Sequence, residues 1–259
     1  MLKLSVIMAC YNEEKNIVIA IDSILNQTFT DFEFIIIDDG SLDSTVDIIR
    51  RYQEIDDRIV LLRNPINRGH SYSLNVGLHA AKAEFVARMD ADDESLLERL
   101  QLQYDYLTSH TEIGIVGTGA YLYLKSNKLF LREHFLPEKH EDIVRLKYKN
   151  TFFYHPSIMA RKEVLLYEGG YNTNIVKSED VDLWLRLMDK VKFHNIQKPL
   201  IKYSVVPGFN KRNFVDSFRT VLTNMIRRGE VLRNLHLIAR IVLIMVVYSM
   251  GYTPRSYRK

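Results

Sequence analysis

The segment AEFVARMDADDE, residues 83–94, joins a buried-strand pattern directly to a cluster of carboxylates. Its first half is apolar enough for a core strand, whereas Asp90, Asp92, Asp93 and Glu94 lie within five positions. Like charges at this density repel one another, and a carboxylate that leaves water needs a partner. The segment is therefore either a solvated loop or a site for a cation.

Strand and helix patterns alternate through the part of the chain that ends in this segment. The run EFIIIDDGS, residues 33–41, is almost continuously apolar before Asp-Asp-Gly, as in a strand buried on both faces. Residues 16–27 instead place five apolar side chains at the spacing of one helix face. The patterns predict strands at 3–9, 33–41, 58–64 and 83–90, and helices at 16–27, 44–53 and 70–83. This alternation predicts an α/β fold with a right-handed, mostly parallel sheet flanked by helices.

Polar residues follow the carboxyl ends of these strands, where ligands of such sheets bind. They are Cys10-Tyr11-Asn12, Asp38–Ser41, Asn64 and Asp90–Asp93. The carboxylate cluster thus lies on the expected ligand edge. No GxGxxG follows the first strand, so a dinucleotide site lacks its phosphate-binding fingerprint.

Beyond residue 95 the alternation is looser. We predict strands at 114–124, 128–135 and 157–161, helices at 98–110, 140–150 and 178–191, and two last strand-like runs, KFHNI and PLIKYSVV. Pro207-Gly208 is the clearest boundary. Residues 1–206 are therefore one predicted domain, and residues 207–259 are a predicted helical tail.

The composition excludes several classes of protein. Hydrophobic residues make up 47% of the 259 positions and charged residues 26%, which argues against wholesale disorder. Cys10 is the only cysteine, which excludes an intramolecular disulfide framework and a cysteine zinc cluster and suits a reducing compartment. We expect the N-terminus to be a core strand rather than a signal peptide, because Asn12, Glu13 and Glu14 end its short apolar run.

The charge distribution separates the tail from the body. Residues 207–259 carry ten basic and two acidic side chains, a net charge of +8, whereas the first 206 residues carry 25 basic and 30 acidic, a net charge of −5. A basic amphipathic run at 214–234 precedes a short apolar run at 235–250, which predicts monotopic attachment to an anionic membrane surface. The alternative is a helix pair that packs on the body or on the second subunit of a homodimer.

The two acidic clusters each have two interpretations. The Asp-X-Asp of residues 90–92 suits a hard divalent cation, Mg²⁺ or Mn²⁺, whose shell a diphosphate completes. Alternatively the loop caps the following helix, with Asp93 or Ser95 as N-cap. Asp38-Asp39-Gly40-Ser41 either contacts the ribose or base of a nucleotide or forms an ordinary Asp-Gly turn.

Glu179 and Asp180 begin a predicted helix, where acidic residues stabilise the helix dipole. A carboxylate at this position can also accept a proton from a hydroxyl as a general base. Trp184, one turn further on, is either a core residue or a platform for a sugar. His155 precedes a proline and is either structural or a phosphate or acceptor contact.

Five segments in this order resemble the family 2 glycosyltransferases with the GT-A (Rossmann-like) fold. They are VIMACYNEE, FIIIDDGSLDST, NRGHSYSLNVGL, FVARMDADD and SEDVDLWLRL, and the resemblance covers about residues 3–205. It implies an inverting transfer of a sugar from a nucleotide-activated donor, commonly a UDP-sugar, with dependence on Mn²⁺ or Mg²⁺. A minor departure is Ala9-Cys10, where many relatives have Pro or Thr before the Tyr-Asn pair.

The resemblance also implies roles for individual residues. Asp92 matches the metal ligand of the DXD element, with Asp90 as a second ligand nearer the ribose, and Asp180 matches the catalytic base of the ED motif. Glu179, His155 and Trp184 are secondary or acceptor residues. The implied nucleotide-binding set is Tyr11, Glu13, Asp39, Ser41, Arg68, Asn75 and Asp90. The residues alone leave a second interpretation of Arg68 and Asn75, in which they only cap and solvate a helix.

We therefore expect a glycosyltransferase on the inner face of a cell membrane, peripheral, cytoplasmic and bacterial. Its partners would be a nucleotide-sugar and a glycan or lipid-linked acceptor, with no nucleic acid. Two alternatives are a sugar-nucleotide nucleotidyltransferase, which usually has an N-terminal Gly-rich phosphate loop that VIMACYNEE lacks, and a non-catalytic membrane-associated glycan-binding protein. Donor and acceptor specificity is expected in residues 114–175.

Overall fold

The first four strands are parallel and run through the centre of the protein. In the computed structural model, which describes residues 2–148, 151–175, 177–206 and 211–249, they are β1 (Leu4–Cys10), β2 (Phe32–Asp38), β3 (Ile59–Arg63) and β4 (Phe85–Asp90). β1 pairs with both β2 and β4, and β2 pairs with β3. Every residue of β1 and β2 is buried, because helices cover both faces of the sheet.

The side chains of β1 alternate between two hydrophobic cores. Leu4, Val6 and Met8 pack in one core, and Ile7 and Ala9 pack in the other. The helices α1 (Ile17–Leu25), α2 (Thr45–Gln53) and α4 (Arg99–Ser109) contribute to the first core. The helices α3 (His70–Ala80), α5 (His140–Arg145), α6 (Lys162–Leu166) and α7 (Glu179–Leu187) contribute to the second. This three-layer arrangement confirms the predicted α/β class.

The second half of the sheet is mixed, so antiparallel pairs are added to the predicted parallel ones. Its strands are β5 (Glu94–Ser95), β6 (Ile113–Leu124), β7 (Phe130–His134), β8 (Met159–Arg161) and β9 (Lys192–Val205). Within the described ranges the nine strands form one sheet in the order β3-β2-β1-β4-β8-β6-β9-β5, with β7 on β6. β8 runs antiparallel to both β4 and β6. A short turn joins β6 to β7, and such a turn allows only an antiparallel pair.

The runs KFHNI and PLIKYSVV form the single strand β9, which pairs in parallel with β6. Pro199 lies within β9 opposite Gly119, where the register shifts on both sides of the glycine. A proline cannot donate to the ladder, so an irregular register is where a strand accommodates it. The interruption in the sequence pattern is thus a bulge rather than the end of a strand.

Two helices follow the sheet: α8 (Lys211–Arg227) and α9 (Leu235–Ser249), with a 3₁₀ turn at Leu232–Asn234 between them. α8 packs along α7, and Asn224 and Met225 of α8 are fully buried. Although the sequence groups α8 with a separate tail, its inner face is part of the core. No helix in the described residues combines the length and the apolar character needed to cross a bilayer.

Candidate active site

The carboxyl ends of β1, β2 and β4 meet at a cavity of about 480 Å³. Five of the residues that the sequence assigns to donor or metal binding line this cavity. They are Tyr11, Glu13, Asp39, Asp90 and Asp92. Parallel pairing of these strands brings their ends to one edge, so residues about 80 positions apart line one cavity. Asn67, His70, Ser73 and Lys177, which were not predicted, also line it.

Asp39 is held rigidly at one side of the cavity. Its buried carboxylate accepts hydrogen bonds from Asn64 Nδ2 (2.7 Å) and from the backbone N–H groups of Arg68 (2.9 Å) and Gly69 (2.8 Å). A carboxylate has about four acceptor positions, so about one remains for a ligand. The turn after it requires glycine, because Gly40 has φ +76° and a Cβ there would lie 2.8 Å from the Ile66 carbonyl carbon.

Three other predicted nucleotide-binding residues shape the loops beside the cavity and do not line it. Ser41 Oγ accepts a hydrogen bond from the Asn12 N–H at 2.9 Å. The Arg68 guanidinium lies 4.4 Å from the centroid of the Tyr72 ring. The Asn75 amide donates to the Tyr171 carbonyl (2.7 Å) and accepts from its N–H (2.8 Å), which ties α3 to the loop before α7. Their direct contact with a nucleotide stays a prediction.

The opposite side of the cavity carries the acidic cluster. Carboxylate oxygens of Asp90, Asp92 and Asp93 lie within 4.8 Å of one another. Asp92 pairs with Lys125 at 2.6 Å. Asp93 accepts a hydrogen bond from the Ser204 N–H at 2.8 Å, while its other oxygen is buried and has no hydrogen-bond partner among the described residues. Burial, together with Asp90 and Asp92, raises the pKa of Asp93 well above its ordinary value.

This set of oxygens fits a hard divalent cation. Three converging carboxylates are ligands of the kind that Mg²⁺ and Mn²⁺ bind, and the buried oxygen of Asp93 lacks the partner that a cation would supply. The alternative of a capping loop does not match the structure, since α4 begins at Arg99 and its N-cap residue is Glu98. The sequence pattern placed Asp93 in this carboxylate cluster, but only Asp90 and Asp92 were predicted as individual metal ligands.

Arg88 is the principal residue that sequence reasoning missed. Its buried guanidinium forms a two-pronged ion pair with Asp90 and donates to His70 Nε2 at 2.8 Å. His70 Nε2 is therefore an acceptor, so this imidazole is neutral. The signal was available: Arg88 is a charged residue in an otherwise apolar strand, two positions before Asp90 and so on the same face.

A cluster of two histidines and one carboxylate lies beside Arg88. Ligand atoms of His70, His155 and Glu179 lie within 4.8 Å of one another, and His155 Nε2 is 2.9 Å from the Tyr171 hydroxyl. Burial, with Arg88 and His70 nearby, lowers the pKa of His155 well below its ordinary value, so this side chain is neutral. His155 thus contacts the site through Glu179 and Tyr171, and a contact with phosphate or acceptor stays a prediction.

Asp180 directly follows Glu179 of this cluster, in the first turn of α7. Burial raises its pKa, and the charges of Arg88 and Asp90 are close enough to act on it. Burial and the neighbouring Asp180 raise the pKa of Glu179 in the same way. A carboxylate with a raised pKa is a stronger base near neutral pH than an ordinary aspartate.

Trp184 does not line the cavity. Its side chain is fully buried, and its ring packs edge-on against Phe153 at 5.2 Å and against His155 at 5.9 Å between centroids. This places Trp184 in the core, the first of its two interpretations, and leaves no face of the indole for a sugar.

An α/β sheet with a polar cavity at the carboxyl ends of its strands is the arrangement in which enzymes of this fold class bind their ligands. The family model of glycosyl transferase family 2 matches residues 5–169. The chain belongs to this family, and it is a glycosyltransferase.

Two relatives have similar lengths to this chain. An uncharacterised glycosyltransferase, MJ1057 of Methanocaldococcus jannaschii, is 32% identical over 94% of this chain and 87% of its own length. The O-antigen biosynthesis glycosyltransferase WbnJ of Escherichia coli is 37% identical over 78% of this chain and 79% of its own.

Solved structures support the GT-A fold. TarS of S. aureus superposes with a TM-score of 0.70 at 20% identity over 86% of this chain and 64% of that chain, and this chain spans 39% of a longer form of TarS. TarS was also solved with UDP-GlcNAc. The mannosyltransferase PcManGT of Pyrobaculum calidifontis, solved with GDP-Man and Mn²⁺, has a TM-score of 0.66 at 18% identity over 94% of this chain and 70% of that chain.

Proposed function

We propose that this glycosyltransferase moves a sugar from a UDP-sugar to a hydroxyl of a glycan or lipid-linked acceptor, with inversion at the anomeric carbon and with Mn²⁺ or Mg²⁺. The observation that carries the proposal is one cavity with Asp39 on one wall and the Asp90–Asp92 carboxylates on the other. The sequence places these residues far apart, and a nucleoside diphosphate with a cation is the ligand that uses both walls.

The donor side of the cavity suits a nucleotide. Its volume of about 480 Å³ lies within the range of small-molecule sites. Tyr11 lines the cavity with a partly exposed ring that would stack on the base, and Asp39 would offer its remaining acceptor position to the ribose or base. The complexes of TarS with UDP-GlcNAc and of PcManGT with GDP-Man support a nucleotide-sugar donor.

Asp90, Asp92 and Asp93 would hold the cation. A divalent cation there supplies Lewis-acid neutralisation of the charge that grows on the departing diphosphate. The buried oxygen of Asp93 and the Mn²⁺ in PcManGT support this assignment. Arg88 fixes the orientation of the Asp90 carboxylate through its two-pronged ion pair.

Asp180 would act as the general base. The acceptor hydroxyl gives its proton to the Asp180 carboxylate while its oxygen forms the new bond to the anomeric carbon, and the bond from that carbon to the diphosphate breaks. A single displacement of this kind inverts the configuration, by analogy with single-displacement glycoside chemistry. The raised pKa of Asp180 supports this role, because a stronger base takes the proton more readily.

The acceptor is proposed to be a growing cell-surface polysaccharide or its lipid-linked precursor. The name of WbnJ, which refers to O-antigen biosynthesis, supports a polysaccharide. The excess of basic residues in the tail supports peripheral attachment to the inner face of an anionic membrane, which places a cytoplasmic enzyme near a lipid-linked acceptor.

UDP release from a panel of UDP-sugars, with Mn²⁺ and with EDTA, tests the proposal. The expected result is UDP release that requires the cation and that Asp180→Asn abolishes while UDP binding, measured by calorimetry, is retained. A nucleotidyltransferase would instead release pyrophosphate from a sugar phosphate and UTP, and a glycan-binding protein would release neither. Turnover of Asp180→Asn at the wild-type rate would refute the assignment of the base.

A further inference from the structure

The residue before α7 has an unfavourable backbone conformation. Ser178 has φ 64° and ψ 35°, in the left-handed region, and it directly precedes Glu179 and Asp180. Side chains other than glycine seldom occupy this region, so neighbouring contacts must hold Ser178 there. Such outliers cluster at functional sites, and this one sets the direction in which α7 leaves the loop.

The hydroxyl of Ser178 does not cap α7. A serine at the N-cap normally accepts a hydrogen bond from a backbone N–H of the first helical turn. Ser178 makes no such bond, and its Oγ shares a hydrogen bond of 2.7 Å with Ser217 Oγ on α8. The group that would stabilise α7 locally is thus used to attach it to α8.

Two more side chains of α8 contact the same part of the chain. Thr220 Oγ1 donates to the Lys177 carbonyl at 3.2 Å, a bond that it shares with the Asp216 carbonyl. Asn224 Nδ2 donates to Asp182 Oδ1 at 3.0 Å, and both of these side chains are about 1% exposed. The α8 residues are spaced at i, i+3 and i+7, which places them on one face of the helix.

The far end of α8 is anchored independently. Arg228 forms an ion pair with Asp189 at 2.5 Å, just beyond the end of α7. Glu230 accepts hydrogen bonds from Lys147 Nζ and from the Tyr148 hydroxyl, both at 2.8 Å. α8 is therefore fixed along the whole length of α7, so its polar face can impose a position on the start of α7.

We propose that Ser217, Thr220 and Asn224 are positioning residues for the catalytic base. They form hydrogen bonds with Lys177, Ser178 and Asp182, on both sides of Asp180 in the sequence. These bonds hold the turn at Ser178 in its left-handed conformation, which orients the Asp180 carboxylate toward the acceptor. The inference rests on the proposed role of Asp180 as base. It gives α8 a part in the chemistry in addition to any contact with a membrane.

The double variant Ser217→Ala/Thr220→Val tests this role, with Thr223→Val, a change at an exposed threonine of the same helix, as the matched control. We expect kcat for UDP release from the UDP-sugar that the wild type uses to fall about tenfold, while the donor KM and the UDP–Mn²⁺ dissociation constant change by less than about twofold. Adding Ser178→Gly should restore most of kcat, because glycine adopts the left-handed conformation without support from Ser217.

Hydrogen exchange gives a readout that does not depend on turnover. The Asp182 N–H donates to the Ser178 carbonyl at 3.0 Å in the first turn of α7. We expect exchange at amides 182–185 to become about tenfold faster in the double variant, with no change in α4 and with recovery on adding Ser178→Gly.

Two outcomes would overturn the inference. The first is that kcat and the hydrogen-exchange rate at amides 182–185 are unchanged in the double variant. The second is a fall in kcat that Ser178→Gly does not reverse and that accompanies a general loss of thermal stability. Asp180→Asn is measured alongside. If that variant keeps wild-type turnover, the proposed base is wrong whatever α8 does. If it is inactive while the double variant behaves as wild type, only the role of α8 fails.

Discussion

The ion pair between Lys125 and Asp92 makes a quantitative prediction about cation binding. The Lys125 ammonium lies 2.6 Å from an oxygen of the aspartate that the DXD element assigns to the metal. Asp92 raises the pKa of Lys125, which keeps the ammonium charged at neutral pH. A divalent cation that takes this oxygen must displace Lys125, so Lys125 competes with it. We therefore expect Lys125→Met to bind Mn²⁺ more tightly than the wild type.

The expected magnitude follows from the exposure of the pair. The side chains are 41% and 23% exposed, so solvent screens most of the direct attraction. Exposed pairs contribute about 0.2–1 kcal/mol, and this pair, with a half-buried aspartate, belongs at about 1 kcal/mol. Because about 1.4 kcal/mol corresponds to a factor of ten, the dissociation constant for Mn²⁺ should fall about fivefold.

Titration of Mn²⁺ followed by electron paramagnetic resonance, with and without UDP, measures this effect directly. Lys128→Met is the matched control, because Lys128 lines a neighbouring pocket with Asp92 but its Nζ is directed to Ser204 Oγ at 3.4 Å. The difference in Mn²⁺ affinity between Lys125→Met and the wild type should become smaller at high salt, because salt already weakens the Lys125–Asp92 ion pair in the wild type. Weaker Mn²⁺–UDP binding in Lys125→Met would refute the competition and indicate that Lys125 binds the diphosphate.

Three further predictions concern the base, the tail and the core. Because burial raises the pKa of Asp180 and the base must be deprotonated, kcat should fall on acidification at a higher pH than an ordinary aspartate would give; a pH–rate profile flat down to pH 4 would contradict this. Deletion of 235–259 should release the enzyme from anionic vesicles without lowering its melting temperature, whereas deletion of 207–259 should also destabilise it, because the loss of Asn224 and Met225 uncovers α7; equal melting temperatures would count against the packing of α8. Trp184→Ala should lower the free energy of unfolding by about 3–5 kcal/mol in denaturant titrations, and a change confined to acceptor KM would show that Trp184 is not a core residue.

The parallel half of the fold and the meeting of its strand ends at one cavity were predictable from local patterns. Strands and helices there differ in hydrophobic period, so their order can be read along the chain. Since parallel strands end at one edge, Asp39 and Asp90 could be placed together before any coordinates were known. The order and direction of the strands decide this placement, whatever the side-chain contacts are.

The mixed half of the sheet was less predictable, because its pairing depends on residues that are distant in sequence. β8 has only three residues, and its position between β4 and β6 is decided by hydrogen bonds to both of them. The proline in β9 interrupts the strand pattern locally, while pairing with β6 continues across it. Local propensity gives way to tertiary pairing at both places.

The amino-acid sequence by itself determined the class of the fold, the family and the edge at which the acidic residues gather, because these follow from periodicity and from motif order. Only the tertiary structure decided which polar side chains meet: Arg88 with Asp90 and His70, Lys125 with Asp92, and Asn224 with Asp182. The physical reason is that ion pairs and hydrogen bonds act over a few ångströms. Whether two side chains come that close depends on how whole elements pack, which no local pattern records.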